Sequence, residues 1–69
     1  MSKILLPATI VEQLERSGAL KFDELLKQVQ KRHEGLSESE LDSMLMKMEI
    51  QGLIRVYRIP KGKRRIELA

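Results

Sequence analysis

Gly52 separates two different hydrophobic patterns in this chain. Before it, apolar residues recur every three or four positions, which is the spacing of an amphipathic helix. After it, apolar and polar residues alternate, which is the spacing of a strand with one buried face. A chain of 69 residues has room for one small core. The change of period therefore predicts a single α+β domain over residues 1–69, helical at first and closed by a β-hairpin.

Two helices and a short strand are predicted in the first half of the chain. The first helix, about 7–17, starts at Pro7, whose fixed φ suits a first helical turn, and it stops at Gly18. An extended segment at 19–22 leads into the second helix. That helix is predicted over about 22–33, where apolar residues again recur at helical spacing.

The third helix, predicted over 37–51, has the strongest local signal. Ser37 and Glu40 have the spacing of a capping box, in which each side chain accepts a hydrogen bond from the other residue's backbone N–H. The apolar residues that follow define a buried stripe of Leu41, Met44, Leu45 and Met48. We interpret the methionines as adaptable core filling rather than as a set of ligands.

Residues 53–68 are predicted to form a hairpin that turns at Pro60-Lys61-Gly62. Pro60 and Lys61 fit the centre of a type I turn, with Gly62 in the left-handed region. This turn sets the pairs Ile59 with Lys63, Val56 with Ile66, Ile54 with Leu68, Arg55 with Glu67, and Tyr57 with Arg65. In this register the apolar pairs share one face and the charged or aromatic pairs share the other, which supports it.

This order of elements resembles the winged-helix superfamily, in its small archaeal or bacterial single-domain type, across nearly the whole chain. The resemblance is carried by Leu36-Ser37-Glu38-Ser39-Glu40, Leu45, Met48 and Gly52-Leu53-Ile54. It implies a helix-turn-helix in which the third helix recognises DNA, a hairpin that serves as the wing, and a short strand that pairs with the hairpin. No motif identifies a subfamily.

Positive charge is concentrated after Gly52. Residues 1–52 carry seven Lys or Arg against nine Asp or Glu, whereas residues 53–69 carry six against one. The candidate nucleic-acid contacts are five cations near the turn: Arg58, Lys61, Lys63, Arg64 and Arg65. A basic wing can neutralise phosphates or enter a minor groove. Two alternatives remain, a solvated edge strand whose charges prevent further pairing and a contact with an acidic protein surface.

The outward face of the third helix has a different character. The candidate protein-interaction residues there are Ser39, Asp42, Ser43, Met46 and Ile50. Lys47 is the only positively charged residue near them. Acidic residues near the start of the helix suit its positive end but repel a phosphate backbone. We therefore expect little sequence selectivity for DNA. A second hypothesis has this face bind an apolar protein surface or a second copy of the chain, unless Ile50 packs under the wing.

The sequence offers little for catalysis or metal binding. It has no cysteine and one histidine, His33, which we expect to act as a cation at the end of the second helix. A nucleophilic serine needs a general base, and His33 is the only histidine that could provide one. No glycine-rich phosphate loop is present. We therefore expect no enzyme, no cofactor and no metal.

The expected setting is the cytoplasm. No apolar run approaches the roughly 18 residues of a membrane helix, and the segment 4–6 is shorter than the apolar region of a signal peptide. The expected function is association with double-stranded DNA, in transcription or DNA maintenance. The wing would contact the phosphate backbone of the DNA.

Overall fold

Three α-helices and a three-stranded antiparallel sheet make up residues 5–69, the part of the chain that the computed structural model describes. Residues 1–4, which include the predicted start of the domain and part of the short apolar segment, lie outside the described residues. The helices are α1 (Leu6–Ser17), α2 (Phe22–Gln30) and α3 (Glu38–Ile50), and the strands are β1 (Leu20–Lys21), β2 (Ile54–Ile59) and β3 (Lys63–Leu68). The predicted α+β class and the order of elements are confirmed.

The ends of α1 and α3 follow from local chemistry. Pro7 lies in the first turn of α1, and the helix ends where the Gly18 N–H donates to the Leu14 carbonyl oxygen at 2.9 Å. At α3, the Glu40 N–H donates to Ser37 Oγ at 3.1 Å, and the Ser37 N–H donates to Glu40 Oε1 at 2.9 Å. The predicted capping box is therefore present in both directions.

Helix α2 ends at Gln30, earlier than the predicted limit of 33. Residues 30–35 are polar or glycine and supply no apolar side chain that would bury another helical turn. His33 thus lies in the turn beyond the helix, and its Nε2 is 2.8 Å from Oγ1 of the buried Thr9 in α1. His33 was predicted as the last residue of the helix, and the structure places it just beyond the helix end, with its ring hydrogen-bonded to α1.

The three helices pack on one face of the sheet. Strand β3 lies in the centre, between β1 and β2. The buried hydrophobic core combines the helical stripes with the inward residues of the hairpin: Ile10, Leu14, Phe22, Leu25, Val29, Leu41, Leu45, Met48, Ile54 and Ile66. Met44, predicted to lie in the stripe of α3, is partly buried against this cluster. The hairpin is therefore anchored by its base, while its turn extends beyond the core.

The register of the hairpin is the predicted one. Its pairs are Ile54 with Leu68, Arg55 with Glu67, Val56 with Ile66, Tyr57 with Arg65, Arg58 with Arg64, and Ile59 with Lys63. Strand β1 adds the pairs Leu20 with Ile66 and Lys21 with Arg65. The sheet thus has an inner face against the helices, with the pair Arg58 and Arg64 on this side near the turn, and an outer face that carries the pairs of Arg55 with Glu67 and Tyr57 with Arg65.

The turn itself differs from the predicted type I geometry. Lys61 has φ 70° and ψ 27°, and Gly62 has φ 73°, so both residues are left-handed. Two successive residues with positive φ give a hairpin turn a twist that matches the right-handed twist of its strands. Gly62 adopts this conformation readily, whereas Lys61 is strained in it.

Candidate nucleic-acid interface

The hairpin presents most of its predicted cations to solvent. Arg58, Lys61, Lys63 and Arg65 are all exposed. Within residues 5–69 none of these four side chains forms an ion pair. Three of them surround the turn, and we refer to Arg58, Lys61 and Lys63 as the wing tip. Its charge is available to an external anion.

Arg64 is different from the other hairpin cations. Its guanidinium Nη1 is ion-paired with Asp42 Oδ1 of α3, and its Cζ lies 4.2 Å from the centroid of the Phe22 ring. The Arg64 side chain is 30% exposed and that of Asp42 is 44% exposed. The structure therefore joins two residues that the sequence assigned to separate surfaces, and Arg64 connects the hairpin to α2 and α3.

An open depression lies between the hairpin and α3. It is lined by Asp42, Arg58, Gly62, Lys63 and Arg64. The Asp42 carboxylate is already paired with Arg64, so Arg58 and Lys63 leave the depression with excess positive charge. An anion such as a phosphate group is favoured there.

The N-terminal half of α3 carries negative charge close to this depression. Glu38 and Glu40 occupy its first turn, and both are exposed. The Ser37 backbone N–H, together with the Ser37 hydroxyl, holds the pKa of Glu40 below its ordinary value. The Glu40 carboxylate is therefore charged at neutral pH, and it opposes the approach of a phosphate to this end of the helix.

The outward side of α3 exposes apolar side chains. Met46 is 59% exposed and Ile50 is 80% exposed, so Ile50 does not pack under the hairpin. Leu53, which follows the helix, is 47% exposed, and we call these three residues the outward patch. Ser39 and Ser43 are exposed along the same helix. Sequence analysis missed Leu53 because it was assigned to the alternating strand pattern, whereas β2 begins at Ile54.

A row of residues crosses the outer face of the sheet. Lys21 of β1 is paired with Arg65 of β3, and Arg65 is paired with Tyr57 of β2. All three are exposed, Tyr57 by 42%. The predicted hairpin register indicated the pair of Tyr57 and Arg65. The position of Lys21 depends on the pairing of β1 with β3, for which the sequence contains no local signal.

No family model matches this chain, and neither a curated protein nor a solved structure matches it. In the described part of the chain, no group of three or more His, Cys, Asp or Glu side chains is arranged to hold a metal ion. None of the helices described for residues 5–69 is long and apolar enough to cross a membrane.

Proposed function

We propose that the chain is a winged-helix domain that holds double-stranded DNA by its phosphate backbone, acting in transcription or DNA maintenance. The observation that carries the proposal is the wing tip, where Arg58, Lys61 and Lys63 are exposed and form no ion pair with any residue of the described range 5–69. The layout of three helices, a short strand after α1 and a terminal hairpin is compatible with this class.

The charge of α3 supports the hairpin as the main contact. A recognition helix reads base edges best with Arg, Lys, Asn or Gln, and it must pass between two phosphate backbones. The exposed side chains of α3 include Glu38, Glu40 and Glu49. Close entry of this helix into the major groove would bring carboxylates near phosphates. In this proposal, binding therefore depends on contacts with the phosphate backbone of the DNA and has little sequence selectivity.

Salt dependence of duplex binding tests this proposal. Each phosphate contact that is lost lowers the slope of log affinity against log salt by about 0.9. Lys61→Ala and Lys63→Ala are each expected to lower the slope by about that amount, and by the same amount for duplexes of different sequence. Lys27→Ala and Lys31→Ala are matched controls, because both lysines are exposed but belong to α2 or its end.

The control variants are expected to keep the slope of the unaltered protein. A duplex affinity that is undetectable in low salt, or that falls equally with all four substitutions, contradicts the proposal. The second of these results would mean that binding follows net charge rather than the position of the charge.

A second candidate function is protein interaction through the outward patch. It is favoured by the exposure of Met46 and Ile50, which are four residues apart on α3 and so share one side of the helix, and of Leu53, which follows the helix. The double substitution Met46→Glu with Ile50→Lys adds one charge of each sign, so net charge is unchanged. It is expected to abolish self-association in a concentration series by light scattering and to leave the fold intact. A protein that is monomeric at all concentrations before substitution contradicts pairing with a second copy.

A further inference from the structure

The outer face of the sheet combines an aromatic ring with positive charge. Tyr57 lies on this face, with Arg65 beside it on β3 and Lys21 one strand farther away on β1. Arg55 lies two residues before Tyr57 on β2 and therefore points to the same side. Glu67, which is partly buried, is the acid of this face. The face therefore carries more positive than negative charge around an exposed ring.

The position of Tyr57 is not explained by the core. Its strand neighbours Ile54 and Val56 supply the contacts to the helices, and the Tyr57 ring is on the opposite side. An aromatic ring that is 42% exposed leaves apolar surface in water. A flat partner with its own π-face would cover this surface, and the adjacent cations would attract a partner with negative charge.

We infer that the outer face of the sheet binds single-stranded nucleic acid, with Tyr57 stacking on a base while Lys21, Arg55 and Arg65 contact the flanking phosphates. Stacking platforms flanked by cations are how sheet surfaces bind single strands without sequence preference. Three strands about 4.8 Å apart make a face about 10 Å wide. That width suits about two or three nucleotides, with the central ring taking one base.

A duplex fits this face poorly. Its bases are stacked on one another and present edges rather than π-faces in the grooves. A single strand can turn a base onto the ring and keep its phosphates in reach of cations on either side. The inference uses different residues from the wing tip, so it can fail while the proposed contact with duplex DNA stands, and the reverse is also possible.

Tyrosine fluorescence tests the inference on the unaltered protein. Tyr57 is the only tyrosine, and the chain has no tryptophan. Its emission therefore reports on the outer face alone. We expect an oligothymidylate of about ten nucleotides to quench this emission in a saturable way as a base stacks on the ring. A free tyrosine derivative with the same oligonucleotide corrects for absorption of light by the bases.

Two substitutions at the ring separate stacking from charge. Tyr57→Phe keeps an aromatic ring and is expected to bind the oligonucleotide with unchanged affinity, measured by anisotropy of a labelled strand. Tyr57→Val keeps a residue that favours strands but removes the ring, and its affinity is expected to fall about tenfold. Lys27→Ala with Lys31→Ala, on α2 and its end, is the control, expected to change single-strand affinity by no more than about twofold.

Three results would overturn the inference. They are an absence of quenching at low salt, equal quenching by a duplex at the same nucleotide concentration, and Tyr57→Val binding the single strand as tightly as the unaltered protein. Duplex binding that depends on Lys61 and Lys63, without any quenching by the single strand, would leave the proposed function in place and remove the site on the outer face.

Discussion

The hairpin and α3 are adjoining surfaces with opposite character. The hairpin segment 53–69 carries six cations and one acid, whereas α3 carries four acids and one cation. The wing tip is exposed and polar, while the end of α3 exposes Met46 and Ile50. The difference shows that one small core can display two adjoining surfaces of opposite charge and different polarity.

The boundary between the two surfaces is where their charges meet. Arg64 of the hairpin is paired with Asp42 of α3, and it also covers the ring of Phe22. This pair neutralises one charge of each surface and holds the hairpin against the helices. The Arg64 and Asp42 charges thus contribute to the placement of the hairpin, whereas Arg58, Lys61 and Lys63 form no ion pair within residues 5–69.

The largest expected effect is from reversing the charge of the wing tip. Replacing Arg58, Lys61 and Lys63 with Glu together is expected to weaken duplex binding at least about a hundredfold in low salt, since three phosphate contacts become repulsions. Fluorescence anisotropy of a labelled duplex measures this change. Met46→Glu with Ile50→Lys is the counterpart on α3 and is expected to leave duplex affinity unchanged. If the α3 variant loses as much affinity as the wing variant, the contrast between the two surfaces is wrong.

Two substitutions at the strained residue Lys61 distinguish its effect on the stability of the fold from its effect on duplex binding. Lys61→Gly and Lys61→Ala remove the same charge, but only glycine relieves the left-handed backbone at this position. The glycine variant is expected to be more stable than the alanine variant by about 1 kcal/mol in thermal or urea unfolding. Both are expected to bind the duplex equally weakly. Equal stability of the two variants would show that Lys61 is not left-handed in solution.

On the α3 side, the capping box provides a comparable change in stability that leaves the wing tip untouched. Ser37→Ala is expected to lower the free energy of unfolding by about 1 kcal/mol through loss of the cap. Because the pKa of Glu40 is lowered in the folded protein, its carboxylate stabilises the fold at neutral pH, and this contribution is lost as the pH falls through that lowered pKa.

Glu40→Gln is accordingly expected to be less stable than the unaltered protein at neutral pH and equally stable in acid. Urea unfolding at a series of pH values measures the difference between the two proteins. A difference that stays constant into acid would show that the Glu40 carboxylate does not cap the helix.

The smallest effect is expected at the boundary. Arg64 and Asp42 are both partly exposed, so screening limits their coupling to about 0.5 kcal/mol. A double-mutant cycle with Arg64→Ala and Asp42→Asn measures it by urea unfolding. Arg64→Ala alone is expected to cost more, since it also loses the contact with Phe22. A coupling of zero would mean that the hairpin is not held against α3 by this pair.

The helices and the register of the hairpin could be predicted from the sequence for physical reasons. Apolar spacing marks the buried face of each element, and the turn at residues 60–62 sets a hairpin register in which the apolar residues oppose one another. The end of α2 could not be predicted, because residues 31–35 contain charged side chains that suit either a helix or a turn. The conformation of Lys61 was missed because the twist of the two strands, rather than the preference of lysine, decides it.

The candidate sites were only partly predictable. Exposure of Met46, Lys61 and Lys63 follows from their positions on a helix face and at a turn. The pairing of Arg64 with Asp42 joins residues 22 positions apart and depends on how the hairpin lies against α3. The row from Lys21 to Tyr57 likewise depends on the pairing between β1 and β3. Such contacts arise only from the tertiary arrangement.

Chemical-shift mapping of the protein with duplex DNA tests the central claim most directly. Backbone amide signals of an isotopically labelled sample are followed as a short mixed-sequence duplex is added. If the hairpin turn is the main contact with DNA, the largest chemical-shift changes are expected at residues 58–64, and the signals of residues 43–50 are expected to stay in place. Shifts centred on the outward side of α3, with the hairpin turn unperturbed, would contradict it.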